Sequence, residues 1–167
     1  MTPSLLEVAL AFAALACVSS CFVDPVHNDE VAALGDENPN VSPGPDHRPG
    51  QPCLICHGGS GPGKAQFSVA GTVYDTQGQK QPSVGTAVAM VDNNGSKFSA
   101  TTNKVGNFYV DVAAWAPVNP IHGVAVSGNG NMSIMLTHIG RDGSCAGCHY
   151  TPVGPASPGP VYLNPAP

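Results

Sequence analysis

The chain has 167 residues, enough for one ordinary domain with tails or two very small ones. Its 20 glycines and 17 prolines disfavour long helices, and charged residues make up only 10%, against about 25% in an average soluble domain. Six Lys and Arg against eleven Asp and Glu leave no basic footprint for a nucleic acid.

Residues 1–20 read as an export signal. From Val8 to Val23 every residue is uncharged and most are apolar, a stretch too short for a comfortable membrane span and suited to a signal h-region. Glu7 stands where a signal usually carries a positive charge. The end, Val18-Ser19-Ser20-Cys21, resembles a bacterial lipobox. That resemblance implies cleavage before Cys21 and acylation of its thiol. With Phe22 rather than Asp next, it also implies an outer-membrane or cell-surface location. Cys17, preceded by Ala14-Leu15-Ala16, fits the motif less well. The plainer alternative is a secretory signal that leaves Cys21 free or disulfide-bonded.

Residues 21–46 then form a tether. Asp24, Asp29, Glu30, Asp36, Glu37 and Asp46 share the stretch with Pro25, Pro39, Pro43 and Pro45, and no helical or strand period is present. An extended, mobile segment is expected. Residues 151–167 mirror it with six prolines and should form a polyproline-like tail.

Between them, residues 66–137 carry short β-rich runs: Phe67–Tyr74, Thr86–Asp92, Lys97–Thr102, Asn107–Val112, His122–Ser127 and Met132–Thr137. Turn chemistry such as Asp92-Asn93-Asn94-Gly95 and Gly128-Asn129-Gly130 separates them. The spacing suggests a mainly β domain, a small antiparallel β-sandwich with ligand-binding loops before and after it. Gly71-Thr-Val, the strand from Val84-Gly-Thr-Ala-Val, and Thr102-Asn-Lys-Val-Gly-Asn-Phe108 resemble the carboxypeptidase-regulatory-like (prealbumin-like) sandwich repeat. Thr86, inserted between Gly85 and Ala87, departs from that pattern. The resemblance covers about 45 residues, and it implies a fold but hardly an activity.

The chemistry lies in two motifs flanking that body, in segments 47–65 and 138–150. They read Cys53-Leu54-Ile55-Cys56-His57 and Cys145-Ala146-Gly147-Cys148-His149. Both match Cys-x-x-Cys-His, the attachment signature of c-type haem. Two thiols about one turn apart can each add to one porphyrin vinyl group, and the adjoining imidazole then reaches the iron. With this Cys and His content, chance supplies about 0.008 such motifs in the chain. The chain therefore resembles a dihaem c-type cytochrome lipoprotein with two covalent haems.

Three plainer readings compete. A redox-active Cys-x-x-Cys belongs at a helix start in a thioredoxin-like unit, whereas Pro52 and Gly58-Gly59 enclose this one. A zinc ribbon would use four thiolates and leave both adjoining histidines idle. Two small disulfides would suit an exported protein but also leave the histidines unexplained.

Each iron needs a second axial ligand. His47 precedes His57 by ten residues and His138 precedes His149 by eleven, as though one design were used twice. His122 and His27 are weaker candidates, and Met90, Met132 and Met135 read as core. Bis-His ligation would give closed, low-potential iron, suited to electron transfer rather than substrate binding. Strand parity adds one expectation: six antiparallel strands would return the chain to its starting end and bring the motifs together, and a seventh would separate them.

The expected activity is electron transfer at the bacterial cell envelope, without enzymatic turnover. Partners would be other redox proteins or extracellular acceptors, and the membrane through a lipid anchor. Two alternatives remain open, a structural subunit of a self-assembled cytochrome filament and, less well supported, a dihaem peroxidase.

Overall fold

The structure is a computed structural model in which residues 24–165 are described; the expected signal segment, Cys17 and Cys21 lie outside them. Seven strands among the described residues form a two-layer β-sandwich. Strands β1 (Phe67–Thr76), β4 (Asn107–Asp111) and β7 (Val161–Asn164) make one sheet in the order β4-β1-β7. Strands β2 (Ala87–Val91), β3 (Lys97–Thr101), β5 (Gly123–Gly128) and β6 (Asn131–Ile134) make the other, in the order β3-β2-β5-β6. All pairings are antiparallel except that of β7 with β1, which is parallel.

Side-chain alternation builds the core. Val69 and Val73 of β1, Phe108 and Val110 of β4, and Leu163 of β7 face Val88 and Met90 of β2 and Val124 and Val126 of β5. Burying each of these side chains is worth about 1.5–3 kcal/mol. Trp115 belongs to this core, stacked on Phe98 at 5.6 Å, with its indole N–H donating to Ser96 Oγ. Met90 is core and Met135 packs against it, but Met132 is 66% exposed and is not core as expected. It lies on the solvent side of an edge strand that ends at Ile134, three residues before the expected limit.

Two expectations about the flanks are corrected. The tether is not extended throughout: Pro25–Ala33 is a helix (α1), and Asp24 Oδ1 accepts from the N–H groups of Val26 and His27 at its start. Proline in the first turn lacks an N–H that would have no helical partner there, so it favours this start. Farther on, Asn107 Nδ2 donates to the carbonyls of His47 and Pro45, and Gly50 N–H donates to Thr72 Oγ1 at 2.7 Å. These bonds pin residues 45–50 on the outer face of β1 and β4. The tail is likewise not polyproline throughout, because Val161–Asn164 forms β7 and buries Leu163.

The six expected strands do separate the two cysteine motifs. The chain returns to β1 before the second motif begins, as Ala70 N–H donates to Gly143 O and Ser144 bridges Ala70. The seventh strand comes after both motifs, and both motifs pack against β1.

Candidate functional site around strand β1

The first motif is one short helix, α2 (Cys53–His57), entered from Pro52 and ended at Gly58, whose N–H donates to Leu54 O at 2.8 Å. A helical turn puts Cys53 and Cys56 on one face. The loop Gly58–Ala65 then folds back on the helix. Gly63 N–H donates to Cys56 O at 2.9 Å, and a Cβ at Gly63 would run into the His57 ring, so only glycine allows this approach. The fold-back brings Ala65 O to 2.8 Å from His57 Nδ1. With that nitrogen donating to the carbonyl, Nε2 carries the free lone pair.

His47 lies beside this motif, its ring 5.8 Å from that of His57. Its Nδ1 bonds the Gly44 carbonyl, so it too has Nε2 free. A narrow groove is lined by His47, His57, Cys53, Cys56, Leu34 and Arg48. Arg48 holds the groove's outer wall, donating to the Leu34 and Gly35 carbonyls and pairing with Glu37 at 3.5 Å. Behind His57 the rings continue: it stacks on Phe67 at 4.7 Å, and Phe67 on Tyr109 at 4.8 Å.

The second motif forms a 3-10 turn, Cys145–Gly147, extended by a bond from His149 N–H to Cys145 O at 2.8 Å. Asp142 Oδ1 anchors its entry by accepting from Ser144 N–H at 2.8 Å. His149 Nδ1 is 2.8 Å from Gly159 O, the same arrangement that His57 has with Ala65. Cys145, Cys148, His149 and His138 line a cavity of about 740 Å³ between the sheets. Its walls are largely apolar, among them Phe108, Val124, Met135 and Ile139. Leu136, also on the wall, is 96% exposed, and Ile134 is 56% exposed. His138 is also 6.1 Å from His122, whose Nε2 is engaged with Asn93 Oδ1 at 3.1 Å. His27 sits on α1 with Nδ1 3.7 Å from Glu30 and Nε2 buried and unpartnered.

The two motifs pack around the same strand. The first lies on the outer face of β1, while Cys145 rests against Gly71 on its inner face. Burial pushes the Cys145 thiol up to about 12, and the charge of nearby Cys53 adds to the effect. Burial also raises the Cys53 thiol. Both are poor thiolates on their own. All four described cysteines are free thiols. Among the described residues, no group of three or more His, Cys, Asp or Glu converges as a bare metal ion would require.

Sequence spacing identified the cysteines and histidines. It did not identify Gly71, nor the carbonyls of Ala65 and Gly159 that orient the two imidazoles, since every residue has a carbonyl. The glycine-rich run 58–63 and Pro158-Gly159-Pro160 were the available signals of close backbone approach. Compared with protein-family models, curated proteins and solved structures, the chain matches none.

Proposed function

We propose that the chain is an exported dihaem c-type cytochrome that transfers electrons at the cell envelope. The observation that carries this reading is the apolar cavity of about 740 Å³ with Cys145, Cys148, His149 and His138 on its wall. A macrocycle suits that combination: a large apolar slot, two thiols one turn apart, and imidazoles on its wall. Leu136 and Ile134 face solvent along this slot, and a bound porphyrin gives them an apolar partner.

The donor chemistry fits as well. His57 and His149 each present a bare Nε2 because Nδ1 is held by a backbone carbonyl at 2.8 Å. This fixes the tautomer and raises the basicity of the ligating nitrogen. Among the described residues no three His, Cys, Asp or Glu converge, whereas a zinc ribbon gathers four thiolates.

In this reading Cys53 and Cys56 would hold one haem, with His57 and His47 as the residues that would bind its iron. Cys145 and Cys148 would hold the other, with His149 and His138 binding its iron. When bound, each haem supplies a one-electron iron couple. The protein orients the imidazoles, excludes water with its apolar walls, and keeps the two attachment turns on one strand. Acylated Cys21 would anchor it to a membrane. Electron donors and acceptors, whether redox proteins or extracellular acceptors, would be its partners, and no catalytic turnover is assigned.

The test is expression with export and c-type haem maturation. A mass gain of two haems with c-type absorbance is expected. A colourless protein with the mass of the bare polypeptide overturns the reading.

A further inference from the structure

The second motif depends on the C-terminal segment in a way the first does not. Residues after His149 turn back through a small loop centred on Ser157, which is 2% exposed. The Ser157 hydroxyl donates to Tyr150 O at 2.7 Å and accepts from Tyr150 N–H at 2.9 Å and Gly159 N–H at 3.1 Å. One donor and two acceptor sites are the full capacity of a hydroxyl. The backbone of Ser157 also exchanges two bonds with Gly154. The result fixes Gly159, at φ 89°, so that its carbonyl meets His149 Nδ1.

Beyond that point the chain enters β7, where Val161, Tyr162 and Asn164 pair with Val73, Tyr74 and Thr76 of β1. Pro158, Pro160, Val161 and Tyr162 form part of the cavity wall. By contrast, the carbonyl that orients His57 comes from Ala65, within the first motif's own loop.

We propose that residues 150–165 are a positioning strap for the second haem alone, with Ser157 and Gly159 as its positioning residues. The proposal rests on the dihaem reading. The bond from Nδ1–H to the Gly159 carbonyl makes His149 a stronger donor, which favours ferric over ferrous iron. Weakening that bond therefore raises the potential of the second centre and leaves the first unchanged.

The experiment compares the mature wild-type protein with Ser157→Ala, Ser157→Thr and Gly159→Ala. A Cβ on Gly159 would stand 2.7 Å from Val153 Cγ2 and would also be strained at its positive φ. The wild type is first checked for two haems by mass; failure there defeats the dihaem reading and not the strap as such. Redox titration of the variants then tests the strap. An upward shift of one of two redox waves is expected for Ser157→Ala and Gly159→Ala, with recovery in Ser157→Thr. Loss of one haem of the two, with the first centre's spectrum intact, is the expected extreme. Two unchanged waves, or equal movement of both, overturns the proposal.

Discussion

Cys145 rests against Gly71: a Cβ at residue 71 would stand 2.7 Å from Cys145 Cβ and 2.9 Å from its Sγ. The same Cβ would lie 3.1 Å from Phe108. Glycine at the centre of β1 thus opens the inner face of the sheet to the second motif. Gly71→Ala should cost about 1–3 kcal/mol through overpacking, measured by urea unfolding. It should also displace Cys145, and on the dihaem reading it should lower the yield of doubly loaded protein by mass while the first haem is retained.

The thiols should differ sharply in the bare polypeptide. Cys145 is pushed up to about 12 by burial, whereas Cys148 is exposed. At a pH well below 12, almost none of Cys145 is thiolate, and the thiolate is the reactive form. Iodoacetamide labelling of unmatured protein near neutral pH, followed by peptide mass spectrometry, should therefore modify Cys148 first and Cys145 last.

Asp92 should set part of the acid stability. Its carboxylate accepts from the N–H groups of Val118, Ser96 and Asn94, and these bonds hold it below its ordinary value of 3.8. A depressed folded value stabilises the native state above the unfolded value, and the benefit is lost as pH falls through the folded one. Unfolding free energy should thus be flat from this group at neutral pH and fall below about pH 4. Asp92→Asn should be less stable at neutral pH and should reduce that acid slope, both followed by denaturant titration against pH.

The histidines of the second cavity can be separated by substitution. His138 lines the cavity, while His122 is engaged with Asn93. On the proposed dihaem reading, His138→Ala should open one iron, seen as carbon monoxide binding to half of the reduced haem. His122→Ala should leave the carbon monoxide difference spectrum silent.

Asn107 should matter more than an ordinary strand residue. Buried in β4, it donates to Pro45 and His47 carbonyls and accepts from Thr72 Oγ1 at 2.7 Å. Asn107→Ala leaves these groups unpaired, at about 1–3 kcal/mol. Amide exchange at Gly50, which donates to Thr72, should quicken in the variant.

The β-sandwich was legible because alternation in β1 and the turn signals after Val91 and Gly128 are local features. Helix α1 was not, because it carries no apolar face and none of its residues is buried. Its capping by Asp24 and Pro25 was the only written signal. Strand β7 was hidden by the prolines on both sides of Val161–Asn164, and parallel pairing with β1 depends on partners nearly 90 positions away. Of the candidate site, the motif residues and the closeness of the His47 and His57 rings followed from spacing. The strap and the Gly71 contact are long-range packing, which no local pattern encodes.

Both motifs lean on β1 from opposite sides, and this makes the molecule indivisible. A cut between the motifs on either side of β1 leaves one fragment with the strand and the other with a cysteine turn that has nothing to rest on. The chain is therefore not two cysteine-motif modules joined in tandem, and a lesion in residues 67–76 should disturb both motifs at once.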